Sequence, residues 1–343
     1  MSDDSRWIGA ALALAERGIG RTAPNPSVGC VIVGAGRVVG RGWTQPGGRP
    51  HAEAMALAAA GEAARGATAF VTLEPCAHVS PRGPACADLL VAAGVARVVA
   101  CGTDPDPRTA GQGFARLRTA GIDVVEGVRR AEAERLNAGF LARRHHGRPH
   151  VTLKLALSLD GSIALADGRS RWITGERARA HAHLERAWAD VIVVGGGTLL
   201  ADDPTLDVRL PGLEERAPRR AVLSTSLAAI PPGARIGEAR LLRDIAELDA
   251  DPSVLRVLVE GGAGVATTLL AADRVDRLLV YRAPILLGGR RGIGDLGLAD
   301  LAEAHGRWRR VDALELGPDG VELFERQRSI CHPRESGSPS PAA

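Results

Sequence analysis

Lysine is almost missing from this chain of 343 residues: Lys154 is the only one among 43 basic side chains, and the others are arginine. A GC-rich coding bias turns Lys into Arg wherever either serves. A lysine that persists therefore marks a place for a compact ammonium able to change protonation, which guanidinium does not supply. Long apolar runs are also lacking. The longest, Val28 to Val33 and Ala187 to Val194, fall far short of the roughly 20 residues of a membrane span, which excludes a helical crossing. No block of like charge occurs, and 43 basic against 40 acidic groups leave a formal charge of +3, so no nucleic-acid arm is implied. The 42 glycines and 21 prolines are scattered without period, which excludes collagen. Aromatic residues make up 3% of the chain, and no repeat of 20 to 50 residues is visible.

Cysteine numbers five: Cys30, Cys76, Cys86, Cys101 and Cys331. The opening MSDDSRWIGA has no basic stretch followed by an apolar one, so the expected location is the cytoplasm. Reducing conditions there disfavour disulfides, and the cysteines read as thiolate ligands or packed core. Cys30, inside VGCVIV, and Cys101, ending RVVAC, read as core.

What is present is an ordinary globular balance, 45% hydrophobic and 24% charged, in a chain long enough for about two domains. Apolar periodicity alternates between strand and helix through the first 140 residues. It predicts a helix at 4–17, strands at 28–33, 37–42, 68–73, 96–101 and 122–126, and helices from 51 and over 85–93, 113–120 and 129–143. RRHHGRP at 143–149 interrupts the pattern, which sets domains at 1–147 and 148–326. The second series has strands at 151–157, 190–194, 221–224, 255–260, 277–281, 308–316 and 321–325, with helices at 175–188 and 265–270. Residues 327–343, rich in Ser and Pro and without apolar spacing, read as a disordered tail.

His51-Ala52-Glu53 opens an apolar helix, Pro75-Cys76 follows a strand, and Cys86 stands ten positions later. One imidazole and two thiolates suit Zn²⁺ and leave a fourth tetrahedral position for water, whereas a structural zinc is normally closed by a fourth protein ligand. Glu53, beside a ligand without being one, is placed to move a proton from water to a leaving nitrogen. His-x-Glu with Pro-Cys is the pattern of zinc deaminases. Its second half is usually Cys-x-x-Cys; here AHVSPRGPA separates the sulfurs, and Pro81, Gly83 and Pro84 must fold the loop back. Taken singly, His51 is a surface or core histidine and Cys86 a small buried hydrophobe.

TAPNPSVGCVIV, HAEAMAL, TLEPCAH, LKLALSLDGSIA, SRWITG and GGGTLLADDPTLDVR, in this order over residues 5–326, are similar to the bifunctional deaminase/reductase family of riboflavin biosynthesis. The resemblance implies an α/β chain of two domains, an N-terminal cytidine-deaminase-like α/β/α zinc domain and a C-terminal dihydrofolate-reductase-like α/β domain. It implies hydrolysis of the ring 2-amino group of 2,5-diamino-6-(5-phosphoribosylamino)pyrimidin-4-one, then reduction of the ribosyl to the ribityl side chain with NADPH. It carries over His51, Cys76 and Cys86 as zinc ligands, Glu53 as proton shuttle, and Asn25 and His78 as pyrimidine contacts. Where the family has a Gly-Arg/Lys-Thr-Pro-Pro run before its second cysteine, this chain has Ser80-Pro81-Arg82-Gly83-Pro84-Ala85, one residue longer.

For the second lobe the residues themselves offer two glycine runs, Gly195-Gly196-Gly197-Thr198 and Gly261-Gly262-Ala263-Gly264, each beyond a strand where backbone N–H groups cradle phosphate. Neither matches the full Rossmann fingerprint, since Thr267 stands at its third small position. By resemblance Ala156, Trp172, Thr198, Asp202, Thr225 and the stretch Gly262, Ala263, Gly264, Val265, Ala266, Thr267 and Thr268 contact NADPH. Ser170, Arg186, Leu206, Arg209 and Glu260 hold the substrate, Arg186 and Arg209 as guanidinium forks on the ribose phosphate. Lys154 and Asp202 are candidates for proton relay. The segment between Thr225 and Leu255 is short and is expected to retain little of the strand the family has there. The family resemblance also implies a homo-oligomer. Two other readings differ in class: a nucleoside or tRNA deaminase, which needs a basic surface or no second lobe, and a structural zinc with a regulatory nucleotide lobe, which needs no Glu53.

Overall fold

The computed structural model describes residues 3–78 and 82–327. The first lobe runs α1 (Asp3–Ala15), β1 (Gly29–Gly34), β2 (Arg37–Trp43), α2 (Ala52–Ala60), β3 (Thr68–Val71), α3 (Cys86–Ala92), β4 (Arg97–Ala100), α4 (Gln112–Thr119), β5 (Asp123–Val125), α5 (Arg130–Leu136) and α6 (Ala138–His146). Its sheet has the order β2-β1-β3-β4-β5. β1 is antiparallel to both neighbours, while β3, β4 and β5 are parallel. Successive strand side chains point to opposite faces, so strands apolar at every position need cover on both sides. Cys30, Ile32, Ala69, Val71, Val98 and Ala100 pack toward α2, α3 and α4, whereas Val31, Phe70, Val99 and Cys101 pack toward α1 and α5. Cys30 and Cys101 are both wholly buried in these cores.

The single helix expected over 129–143 is in fact α5 and α6, broken at Asn137. The Asn137 amide, instead of following helical geometry, grips another chain segment. Its Oδ1 accepts from the Ser27 N–H at 2.8 Å and its Nδ2 donates to the Ser27 carbonyl at 3.0 Å.

The second lobe contains β6 (His150–Leu157), β7 (Ser162–Ala164), α7 (Glu176–Ala187), β8 (Val191–Gly195), α8 (Gly196–Asp202), β9 (Arg219–Leu223), β10 (Ala239–Leu242), β11 (Arg256–Val259), α9 (Ala263–Ala271), β12 (Arg277–Arg282), β13 (Arg290–Arg291), β14 (Trp308–Leu316) and β15 (Asp319–Arg326). Eight strands form one sheet in the order β10-β9-β8-β11-β6-β12-β15-β14, and β13 pairs with β7 separately. From β10 to β12 the pairing is parallel; β15 and β14 add an antiparallel edge. The short segment after Thr225 does form a strand, β10, because Leu242, Ile245 and Leu248 bury their side chains in the core on one face of the sheet. The opposite face is covered partly by α7, whose Ala178 and Ala182 lie on Leu279, Tyr281 and Val321.

The lobes are tied by backbone acceptors. Arg143 of α6 donates to the carbonyls of Leu248, Asp249, Asp251 and Val254 at 2.6 to 3.4 Å. Arg256 of β11 donates in return to the carbonyls of Arg135 and Leu136. Among the described residues no helix is long and apolar enough to cross a membrane. Ser80 and Pro81 of the loop before Cys86, and Cys331 and the expected tail beyond Gln327, lie outside the described residues.

Candidate functional site

The first site is assembled at the start of α2. Gly40 and Gly42 let that helix lie directly on β2: a Cβ at Gly42 would stand 2.5 Å from the Ala52 carbonyl oxygen, and one at Gly40 2.1 Å from that of Ala56. This contact fixes His51, the N-cap residue of α2, and Glu53 in its first turn. The turn after β3 supplies Cys76, and Cys86 is the first residue of α3. His51 Nδ1 lies 3.3 Å from Cys86 Sγ and 3.6 Å from Cys76 Sγ. Tetrahedral zinc with ordinary Zn–N and Zn–S lengths sets its nitrogen and sulfur ligands about 3.5 Å apart, so the donor set fits that ion. These three residues form the one group of metal-ligand type found among the described residues, which leaves a fourth position without a protein ligand.

The electrostatics favour binding. The Cys86 thiol and the His51 imidazole beside it pull Cys76 down to about 4 despite its burial, so a thiolate is present at neutral pH. Burial pushes the Glu53 carboxyl above its ordinary value, the direction that suits a group meant to hold a proton in passing. A cavity of about 190 Å³ opens beside these groups, lined among others by Asn25, His51, Glu53, Cys76 and His78. Asn25 Nδ2 donates to the Gly48 carbonyl at 2.8 Å, and His78 Nδ1 pairs with Thr109 Oγ1 at 3.2 Å.

Sequence reasoning missed the far wall of this cavity, which carries Asp104, Asp106, Arg108 and Arg144. Glu74 builds it. Its carboxylate accepts from the N–H groups of Asp104, Gly111, Gly113 and Phe114 at 2.8 to 3.3 Å, folding the loop after β4 over the site. Burial raises Asp104 to about 6, while the Arg108 hydrogen bond lowers Asp106 to about 2. Asp-Pro-Asp-Pro, two prolines that hold two carboxylates in a rigid turn, was the available signal.

The second site is a cavity of about 1330 Å³ at the carboxyl ends of the parallel strands, where open α/β sheets bind ligands. Lys154 and Ala156 of β6, the run Gly195 to Thr198 and the stretch Gly261 to Val265 line it, with Ser170, Trp172, Asp202, Leu206, Arg209 and Thr225. Thr268 is on the wall too, but Ala266 and Thr267 are not. Ala266 is wholly buried in the core, and the Thr267 hydroxyl donates to the Ala263 carbonyl and accepts from the Gly294 N–H. Helical periodicity turns these two positions away from the ligand face.

Lys154, Arg186 and Glu260 converge in this cavity. The Arg186 fork donates to both Glu260 oxygens at 2.6 and 3.0 Å, and its Nη1 donates to the Asp207 carbonyl at 2.9 Å. The fork expected on phosphate is therefore closed on a carboxylate of this chain. Lys154 Nζ lies 3.7 Å from Glu260 Oε2 and 5.7 Å from the centre of the Tyr281 ring. Burial opposes ionisation of Glu260, yet the charges of Arg186 and Lys154 outweigh it and hold the carboxyl at about 2. Arg209 reaches Asp207 at 3.2 Å and is half exposed, and Arg171 reaches Asp202 at 3.7 Å. The two cavities share no lining residue.

Residues 1–102 match the family described as the cytidine and deoxycytidylate deaminase zinc-binding region, and residues 149–321 match the RibD C-terminal domain. The riboflavin biosynthesis protein RibD of Escherichia coli is 43% identical over 92% of this chain and 97% of its own length. That of Aquifex aeolicus is 36% identical over 94% and 98%. Among solved structures, Acinetobacter baumannii RibD superposes with a TM-score of 0.84 at 36% identity, covering 95% of this chain and 99% of that one. The Thermotoga maritima diaminohydroxyphosphoribosylaminopyrimidine deaminase/5-amino-6-(5-phosphoribosylamino)uracil reductase does so at 0.82 and 31%, covering 94% and 99%.

Proposed function

The chain belongs to the RibD family of riboflavin biosynthesis, and from that premise we propose which of its residues carry the two reactions. It is a bifunctional enzyme, a zinc-dependent deaminase followed by an NADPH-dependent reductase. The substrate is 2,5-diamino-6-(5-phosphoribosylamino)pyrimidin-4-one. The first lobe converts it to 5-amino-6-(5-phosphoribosylamino)uracil with loss of ammonia, and the second reduces the ribosyl group to ribityl.

In the first lobe, zinc held by His51, Cys76 and Cys86 supplies a Lewis acid that makes water acidic near neutral pH. Glu53 takes the proton from the attacking water and delivers it to the departing 2-amino nitrogen, so that water and the amine leave as carbonyl and ammonia. Asn25 and His78 hold the pyrimidine. In the second lobe, NADPH along Ala156, Trp172, Thr198, Thr225 and the Gly262–Thr268 stretch supplies the hydride. Lys154 gives the compensating proton to the oxygen of the reduced ribose carbon, and Asp202 is the second relay candidate. Glu260 keeps Lys154 charged and oriented, Arg186 holds Glu260, and the half-exposed Arg209 meets the phosphate. Ser170 and Leu206 complete the substrate wall. The proposal extends to domains at 1–147 and 148–326 and to a cytoplasmic homo-oligomer without a nucleic-acid partner. Its support is the family likeness together with the balance of 43 basic and 40 acidic groups.

The observation that carries the deaminase assignment is the His51–Cys76–Cys86 cluster beside the buried carboxyl of Glu53. Replacing Glu53 by Gln keeps the shape and removes the proton acceptor. Ammonia release should fall by a factor of about 10² to 10⁴, the usual contribution of general acid–base catalysis, with bound zinc and the reductase rate on deaminated substrate unchanged. Ammonia release at the original rate would overturn the shuttle role.

A further inference from the structure

A third, small cavity lies between the lobes. Thr22, Asn25, Ser27 and Asn137 line it from the first lobe, and Asp190, Leu255 and Arg256 from the second. Its first-lobe wall is the loop that presents Asn25 to the deaminase cavity. Inside that loop the Asn25 N–H donates to the Thr22 carbonyl at 2.9 Å, and the Thr22 hydroxyl donates to the Asn25 carbonyl at 3.0 Å. The far end of the loop is held by the two hydrogen bonds between the Ser27 backbone and the Asn137 amide, a pair buried at both ends.

Asn137 is itself held from the other lobe. Arg256 donates to the carbonyls of the two residues preceding it, Arg135 and Leu136. The N–H groups of Leu255 and Arg256 both donate to Asp190 Oδ2 at 2.8 Å, which fixes the strand carrying that guanidinium. On the other side of Asn137, Gly139 rests against the second lobe so closely that a Cβ there would stand 2.7 Å from the Leu255 carbonyl oxygen. β11 thus begins at Arg256 against the deaminase loop and ends beside Glu260 in the reductase cavity.

We propose that Asn137, clamped at the lobe junction by Arg256, is a positioning residue that sets the 22–27 loop and hence Asn25, so that the reductase lobe is part of the deaminase substrate site. The inference rests on the reading that Asn25 contacts the pyrimidine. It touches neither the metal ligands nor Glu53, so it acts on substrate binding and leaves the chemical step alone.

The test uses the full-length zinc-loaded enzyme and four variants: Asn25→Ala, Asn137→Ala, Asn137→Asp and Arg256→Leu. Ammonia release gives KM and kcat, metal analysis gives zinc per chain, and NADPH oxidation on deaminated substrate reports the second lobe. Asn137→Ala and Arg256→Leu should each raise the deaminase KM about tenfold while kcat stays within about twofold, the pattern of lost ground-state and transition-state binding alike. Zinc content and reductase rate should not move. Asn137→Asp, which keeps the acceptor for the Ser27 N–H, should recover part of the loss. Asn25→Ala combined with Asn137→Ala should be no worse than Asn25→Ala alone, because both act through one contact. An unchanged KM in Asn25→Ala would remove the premise. A raised KM there with an unchanged KM in Asn137→Ala would refute the positioning role itself, as would zinc and both activities falling together. If Arg256→Leu fails to fold, the two Asn137 variants decide.

Discussion

Replacing Glu260 by Gln should destabilise the reductase lobe by an amount that disappears in acid. The carboxylate is about nine-tenths buried between Arg186 at 2.6 Å and Lys154 at 3.7 Å. Its pKa of about 2 against an ordinary 4.5 corresponds to about 3 kcal/mol of preference for the ionised form, at 1.36 kcal/mol per pKa unit. The amide leaves two buried cations without a counter-charge, a loss of about 3–5 kcal/mol in comparable pairs. For a lobe of this size each kcal/mol moves the melting temperature by about 2–4 °C, so a decrease of about 6–12 °C follows from the lower figure. The folded pKa lies below the unfolded one, so the contribution is complete above pH 4.5 and is lost as pH falls toward 2. Scanning calorimetry at a series of pH values would read the gap between the two proteins, with the reductase transition identified by its upward shift on adding NADPH. The gap should be constant from pH 7 to about 5 and close below that. A gap under about 2 °C at pH 7, or one that persists undiminished at pH 3, would refute the reasoning.

Other perturbations separate the two sites. Cys86→Ala should release zinc and abolish ammonia formation while the reductase runs on supplied deaminated substrate; metal analysis and the two rates check it. Gly42→Ala puts a Cβ 2.5 Å from the Ala52 carbonyl oxygen, so the first turn of α2 must lift. Zinc affinity and deaminase rate should fall together, unlike Glu53→Gln, where zinc stays. Lys154→Met should lower the reductase kcat by about 10² or more with NADPH binding retained, the low end of general acid catalysis. Lys154→Arg should not restore it, since guanidinium does not release a proton in this range.

The first site was legible because zinc chemistry needs particular atoms near particular helix and strand ends, and His51, Glu53, Cys76 and Cys86 lie within one stretch of chain. The α/β character was legible for a similar reason, since strands apolar at successive positions require cover on both faces. What escaped depends on partners distant in sequence. Nothing local marks Arg186 as the partner of Glu260, 74 residues away, and guanidinium forks suit phosphate and carboxylate equally. The break at Asn137 was hidden because residues 129–143 keep helical spacing throughout; the residue that makes it, Ser27, is 110 positions distant. β10 was discounted because its four residues are weakly apolar alone and gain their burial from Ile245 and Leu248 behind them. Ala266 and Thr267 were assigned with their neighbours as one stretch, although on a helix consecutive residues cannot all face one ligand.

The central claim is that one chain runs two chemistries in a fixed order, hydrolysis before hydride transfer, in two separate cavities. Supplying the diaminopyrimidine phosphoriboside with and without NADPH, while following ammonia and the absorbance of the reduced nicotinamide, tests it most directly. Ammonia should form at the same rate in both mixtures, and NADPH should be consumed only after deaminated product has accumulated. NADPH loss that precedes ammonia, or ammonia that requires NADPH, would contradict the claim.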